Sequence, residues 1–163
     1  MDTFVFCRLH FTPLANLATN QRMDRQGLLT FLRKHRLCVQ ASVAERGAPQ
    51  AAVVGYAVSD RLELIFDTLS STRKAQNLRR EPRIALVIWD GEQTLQLEGL
   101  ADEPAGDDLL RLKPVYLATF PDGVEREQWP GITYVRVRLH WARFSDFGAN
   151  GSVEEFDQVT LRG

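Results

Sequence analysis

Only two cysteines, Cys7 and Cys38, occur in the 163 residues. They are too few and too far apart for a disulfide framework or a cysteine-based zinc site. No apolar run approaches the ~18 residues of a membrane-spanning helix, so no membrane partner is expected. Neither sign of charge dominates: 20 Lys and Arg stand against 21 Asp and Glu, a formal net charge of −1. A dedicated nucleic-acid binder is usually clearly basic, and that class is set aside. His10, His35 and His140 show no ligand spacing with cysteines or acids, so no metal is expected. There is no Ser-His-Asp, Cys-His or paired-carboxylate constellation, no internal repeat and no low-complexity segment. With these removed, 44% apolar and 25% charged residues describe one soluble globular domain with a real core. A reducing cytoplasm fits the cysteine usage, with Cys38 in an apolar strand-like run as a small core residue.

Residues 1–22 start apolar at Phe4, Val5 and Phe6 but carry Asp2, Arg8 and His10 and form no signal-peptide core. Helical patterning begins only after Met23. Residues 1–22 are therefore expected to be a loosely attached extension, and 23–163 the domain.

Within that domain Asp24 to His35 reads as a helix with Asp24 as N-cap and Leu28, Leu29, Phe31 and Leu32 as its apolar stripe. Leu37 to Ala44 alternates as a strand with one buried face, Glu45-Arg46-Gly47-Ala48 turns, and Pro49 opens a strand over Gln50 to Val58. Leu62 to Asp67 is a third strand. A short helix from Thr72 to Arg80 follows, closed by Pro82. Arg83 to Trp89 and Gln93 to Ala101 are strands joined at Asp90-Gly91. A helix over Asp107 to Ala118 contains Pro114 as an expected kink. A polar loop, a long strand over Ile132 to Phe144 and a short strand over Val153 to Leu161 complete the chain. Hairpin connections imply an antiparallel sheet: a mainly β (β+α) fold with six or seven strands in a barrel and flanking helices.

The chemistry concentrates at Ser71-Thr72-Arg73-Lys74-Ala75-Gln76-Asn77. A helix N-terminus carries roughly +0.5 of a charge and several unpaired N–H groups, and favours Asp or Glu. Here two cations stand in that first turn, behind a run of hydroxyls. One reading is a phosphate site built from N–H groups, hydroxyls, a guanidinium and an ammonium. The other is a solvated basic turn, since Arg79, Arg80 and Arg83 follow closely.

The residues Phe66-Asp67-Thr68, then Arg73-Lys74-Ala75, Asn77-Leu78 and Pro82-Arg83-Ile84-Ala85-Leu86 resemble the pyridoxamine 5′-phosphate oxidase-like family of FMN-binding split barrels. Gly47-Ala48-Pro49 and Leu97-Glu98-Gly99 support the resemblance, which covers about Met23 to Phe147. It implies a split β-barrel homodimer with FMN at the two-fold interface. Carried over by position, Arg73 and Lys74 hold the FMN phosphate and Thr68 and Thr72 add hydroxyls. Asp67 lies against the ribityl chain, and the backbone through Val53, Val54, Gly55 and Tyr56 runs along the isoalloxazine. Thr94, with Gln96 nearby, reaches the flavin, commonly from the second subunit.

Two departures mark this chain. The oxidases that make pyridoxal phosphate carry an Arg and a Lys where this sequence has Ala52 and Ala57. Their C-terminal basic and His motif is also absent; Arg138-Leu139-His140 spells part of it, but in the preceding strand. A smaller relative acting on an unknown small molecule is implied. Trp129, Trp141 and Arg143 are candidates for the substrate pocket, against a core role for Trp141 and a local Arg143–Asp146 ion pair. His140 is read as a structural residue or a general acid–base, and no residue is assigned as catalytic. The expected activity is FMN-dependent oxidoreduction, the flavin supplying the electron transfer. The alternatives are a deazaflavin- or haem-binding barrel and a cofactor-free dimeric binding module.

Overall fold

In the computed structural model, which describes residues 23–148 and 151–162, Asp24 caps the first helix. Its Oδ1 accepts from the Gly27 N–H at 2.7 Å, satisfying one of the donors that a helix start leaves open. Helix α1 (Arg25–Lys34) buries Leu28, Leu29, Phe31 and Leu32, each such side chain contributing about 1.5–3 kcal/mol. The expected extension over residues 1–22 lies outside the described residues. Among those described, no helix is long and apolar enough to cross a membrane.

Strand β1 (Leu37–Val43) pairs with β2 (Pro49–Gly55), and β3 (Ala57–Val58) pairs with β4 (Glu63–Leu69). Helix α2 (Arg73–Arg80) leads into β5 (Arg83–Asp90) and β6 (Gln93–Asp102). Helices α3 (Gly106–Thr119) and α4 (Gly123–Arg126) precede the long β7 (Ile132–Asp146), and β8 (Ser152–Asp157) runs into α5 (Gln158–Arg162). Every pairing is antiparallel, in the order β2-β1-β5-β6-β7-β4-β3, with β8 on β7.

The expected strand over Gln50 to Val58 is broken at Tyr56, and the break explains the barrel. Its first part pairs with one edge of the sheet and its second part with the other. One run of chain therefore joins both edges and closes the sheet on itself. Tyr56 is held at the split by its own N–H, which donates to the Arg36 carbonyl at 3.0 Å, and by its hydroxyl, which donates to the Leu32 carbonyl at 2.9 Å. The sheet thus has eight strands, or seven if β2 and β3 are taken as one bent strand. It is a split antiparallel barrel with flanking helices.

Other boundaries differ from expectation. Pro114 lies inside an unbroken α3, and part of the expected polar loop folds as α4. The expected last strand ends at Asp157 and its remainder is α5. In β1 the buried face is Cys38, Gln40 and Ser42, while the more apolar set, Leu37, Val39, Ala41 and Val43, turns outward. Burial confirms Cys38 as a core residue and pushes its thiol up to about 12. Between Glu98 and Gly99 the β6–β7 register shifts: Glu98 faces Trp141 whereas Gly99 faces Leu139, which leaves His140 as the extra residue of a bulge.

Candidate cofactor site

Thr72 ends the loop after β4 and caps α2. Its Oγ1 accepts from the Ala75 N–H at 3.4 Å, donates to the Leu69 carbonyl at 2.8 Å, and lies 3.1 Å from the Thr68 Oγ1. The first turn contains no acid. Of the cations in this basic stretch, Arg79 is paired with Glu103 and Arg83 with Glu81. Arg80 donates to the Val43 carbonyl and to Asn77 Oδ1. Among the described residues, Arg73 and Lys74 meet no carboxylate. The positive end of the helix and two cations without carboxylate partners therefore coincide.

The turn is tied to the barrel by residues that sequence reasoning missed. Asn77, buried, donates from Nδ2 to Ser42 Oγ at 3.2 Å, and the Gln50 side-chain amide lies 2.8 Å from the same nitrogen. In one orientation that amide's oxygen accepts from Asn77 Nδ2, and in the other it accepts from Arg73 Nε at 3.1 Å and from Arg73 Nη2. Gln50 thus sets Arg73 against β2. Nothing in the local pattern around Gln50 announces this; the β1–β2 register, which places Ser42 opposite Gln50, creates it. On the other side, the Ser70 N–H donates to the Gly131 carbonyl at 2.7 Å, so the loop carrying Trp129 passes beside the turn. Gly131 has φ +80°, a conformation that favours glycine.

Asp67 is not brought to this turn. It accepts from Arg126 Nε at 2.7 Å and from the Tyr116 hydroxyl at 2.8 Å, on the side of β4 covered by α3 and α4. Burial and this hydrogen bond raise the Tyr116 pKa, and the Asp67 bond raises that of Arg126. Tyr134, opposite Asp67, donates to Glu127 at 3.1 Å. The Asp67 side chain, expected against a ribityl chain, is thus engaged by α3 and α4.

Most of the remaining predicted residues share one outer face. A single register row runs Val53, Val39, Val87, Gln96, Arg143, Glu155 across six strands. The adjacent row runs Ala51, Ala41, Ala85, Glu98, Trp141, Asp157. Thr94 stands beside them, opposite Trp89. Val53 is 63% exposed and Trp89 59%, so this face carries a contiguous apolar surface. Val54 and Tyr56 point into the core instead. A Cβ on Gly55 would meet the Phe120 ring at 2.9 Å; the glycine lets the end of α3 close over β2. Arg143 and Asp146 form no pair: Asp146 accepts from Gln93 Nε2 at 2.8 Å and the Gly148 N–H at 2.9 Å. Arg143 Nη1 lies 3.9 Å from Glu155, and its buried Nε has no hydrogen-bond partner among the described residues.

The fold recurs in solved structures at low identity. A haem-binding protein from Mycobacterium smegmatis is 18% identical, with a TM-score of 0.69 over 78% of this chain and 55% of that one. This chain thus spans little more than half the length of that protein. An FAD-binding protein from Mesorhizobium loti is 17% identical, with a TM-score of 0.61 over 73% and 90% of the two chains. HutZ, the haem storage protein of Vibrio cholerae, is 16% identical, with a TM-score of 0.57 over 72% and 92%. No curated protein matches the sequence. The sequence profile of the pyridoxamine 5′-phosphate oxidase family matches residues 25–111, more than half of the chain and including the whole Thr68–Lys74 turn. This chain belongs to the pyridoxamine 5′-phosphate oxidase family.

Proposed function

We propose that this protein is a homodimeric, cytoplasmic flavoprotein that holds FMN by its phosphate at Arg73 and Lys74 and acts as an oxidoreductase on a small organic molecule. The observation that carries the reading is the coincidence of two cations lacking carboxylate partners with the capped N-terminus of α2. A phosphate neutralises both and accepts from the free N–H groups of the first turn. FMN, when bound, supplies two-electron transfer. The residues of this chain bind it, orient it and exclude water. Ala52 and Ala57 leave no other cation in the two places where the pyridoxal-phosphate-making oxidases have one, so Arg73 and Lys74 bear the phosphate charge together.

The dimer is supported by the outer face of β2, β1 and β5. Val53, Val87 and Trp89 leave large apolar side chains exposed on one face, with the half-buried Val39 between them, and such a contiguous surface suits an interface. Thr94, Gln96, Trp141 and Arg143 lie along its polar margin, where a second copy would present them to the flavin. The unpartnered Arg143 Nε is a donor available to that ligand or to its substrate. A nicotinamide cofactor or oxygen closes the cycle.

The test is the visible spectrum of the purified protein, with an FMN titration if it emerges without cofactor. Flavin absorption, or uptake of FMN at micromolar concentration, is expected. A colourless protein that takes up none refutes the proposal. Haem is the second reading, because the Mycobacterium smegmatis and Vibrio cholerae proteins of this fold are haem proteins; a Soret band in the same spectrum would select it. Deazaflavin requires its own titration.

A further inference from the structure

The β7 bulge opens a cavity at the opposite end of β4 from the Thr72 turn. A regular strand sends successive side chains to opposite sides, yet Arg138, Leu139 and His140, three consecutive residues, all line this one cavity. The extra residue at His140 makes that possible. Gly99 permits the bulge, since a Cβ there would meet the Arg138 carbonyl oxygen and Val137 Cγ1, both at 2.7 Å. The cavity holds about 520 Å³, within the range of roughly 300–1,000 Å³ in which small-molecule sites fall.

Its walls are of two kinds. Leu62, Leu100, Leu139 and Leu161 supply an aliphatic floor. Around it stand Arg61, Arg138 and His140, and the one acid of the lining, Glu63, is already taken. Glu63 Oε2 is 2.5 Å from Arg111 Nη1, and its Oε1 is 3.1 Å from Arg111 Nη2 and 3.5 Å from Arg136 Nη1. Asp102, which Arg138 meets at 3.1 Å, is held by Arg136 through two bonds of 2.7 and 2.8 Å. Arg61 has no carboxylate partner among the described residues. An aliphatic cavity with a cationic rim suits an anion attached to an apolar body.

We propose that this cavity binds a small aliphatic carboxylic acid, its chain against the four leucines and its carboxylate between Arg61 and Arg138. The site is separate from the cofactor turn, because Glu63 and Thr68 lie at opposite ends of β4, roughly 16 Å apart at the extended rise per residue. It does not depend on the flavin reading.

Octanoate is the probe. Titration of the full-length protein by calorimetry, with amide chemical shifts followed by NMR, should show binding with shifts at Leu100, Leu139 and His140. Octanol, which lacks the charge, and inorganic phosphate, which lacks the chain, should each bind about tenfold more weakly or worse. Arg61→Ala, at an exposed position, should weaken octanoate about tenfold and leave the melting temperature unchanged. Leu100→Trp should fill the cavity and abolish binding. Absence of binding overturns the proposal, as do shifts confined to Ser71–Ala75, equal affinity for phosphate or octanol, or wild-type affinity in Arg61→Ala. If Leu100→Trp fails to fold, Arg61→Ala decides alone.

Discussion

Asp67 and Thr68 are adjacent in sequence and serve different parts of the molecule. The Asp67 carboxylate is gripped by Arg126 Nε at 2.7 Å, under α3 and α4, whereas the Thr68 hydroxyl lies 3.1 Å from the Thr72 hydroxyl at the start of α2. Strand pleating separates them: successive residues face opposite sides. A motif that reads as one unit along the chain is therefore two devices, one fastening the helical cover and one shaping the start of α2.

Replacing Asp67 should accordingly act on stability before it acts on the cofactor. Asp67→Ala removes an acceptor shared by Arg126 and Tyr116, while Arg126 keeps the Asp122 carboxylate, so a loss of about 1–3 kcal/mol is expected. FMN affinity of the folded variant should change by less than about tenfold, or 1.4 kcal/mol. Urea unfolding and FMN titration check both. A stability within about 0.5 kcal/mol of the original, as for a surface substitution, would contradict the assignment.

Arg73→Ala and Lys74→Ala should show the reverse pattern. Neither side chain meets a carboxylate, so unfolding free energy should shift by no more than about 0.5 kcal/mol for Lys74→Ala and by about 1 kcal/mol for Arg73→Ala, which also gives up the Gln50 amide. Each loses a charge-assisted contact worth about 1.5–3 kcal/mol, so FMN binding should weaken by roughly 10- to 100-fold. Raised salt should weaken the original protein's FMN binding more than that of either variant.

The outer face gives a prediction about assembly. Val53→Asp and Val87→Asp place a charge on exposed positions of the Val53–Val39–Val87 row, harmless to a monomer and costly in an apolar interface. Sedimentation should show a dimer for the original chain and a monomer for the variants, with flavin lost along with the partner. Variants that stay dimeric would remove this face from the interface.

Acid stability should depend on Asp108. Hydrogen bonds from Arg111 at 2.9 Å and Arg136 at 2.7 Å hold its carboxyl below the ordinary value of 3.8. The unfolded chain then takes up the proton first as pH falls. The contribution is complete above about pH 4 and is lost as pH drops through the folded value. Asp108→Asn should flatten that loss, measured as the urea midpoint against pH below 4. An unchanged slope would mean that the two arginines do not depress this group.

Gly99→Ala should be among the more damaging small substitutions. The new Cβ meets a backbone oxygen and a buried valine at 2.7 Å, and neither is free to swing away. A loss of about 1–3 kcal/mol is expected, the cost of overpacking, read from thermal unfolding. Shifts of the His140 amide should accompany it.

Local chemistry made some of this legible in one dimension. Asp24 as a cap, the buried stripe of α1, the Thr72 start of α2 and most strand extents follow from contacts within a few residues, which sequence spacing records directly. The cations of α2 stand out for the same reason: a helix start is a local object with a known charge. That the strands form an antiparallel barrel followed from hairpin turns and alternation, and the family resemblance sharpened it; that β1 lies beside β5 and β4 beside β7 did not.

What required the folded chain was everything decided by neighbours distant in sequence. The β1 pattern could not reveal that Cys38, Gln40 and Ser42 face inward, because burial is set by what covers each face, and α2 with Asn77 covers the less apolar one. Asp67 is assigned to Arg126, Arg143 is separated from Asp146, and Gln50 is set against Arg73 by register and helix placement. The closure at Tyr56 and the bulge at His140 depend on how both edges of the sheet meet. Sequence determined the elements and the charge at the start of α2; only tertiary structure decided which side chains face it, which face the outer surface, and which line the cavity beside the β7 bulge. Elements arise from short-range energetics, whereas facing and pairing arise from contacts that exist only after the sheet has closed.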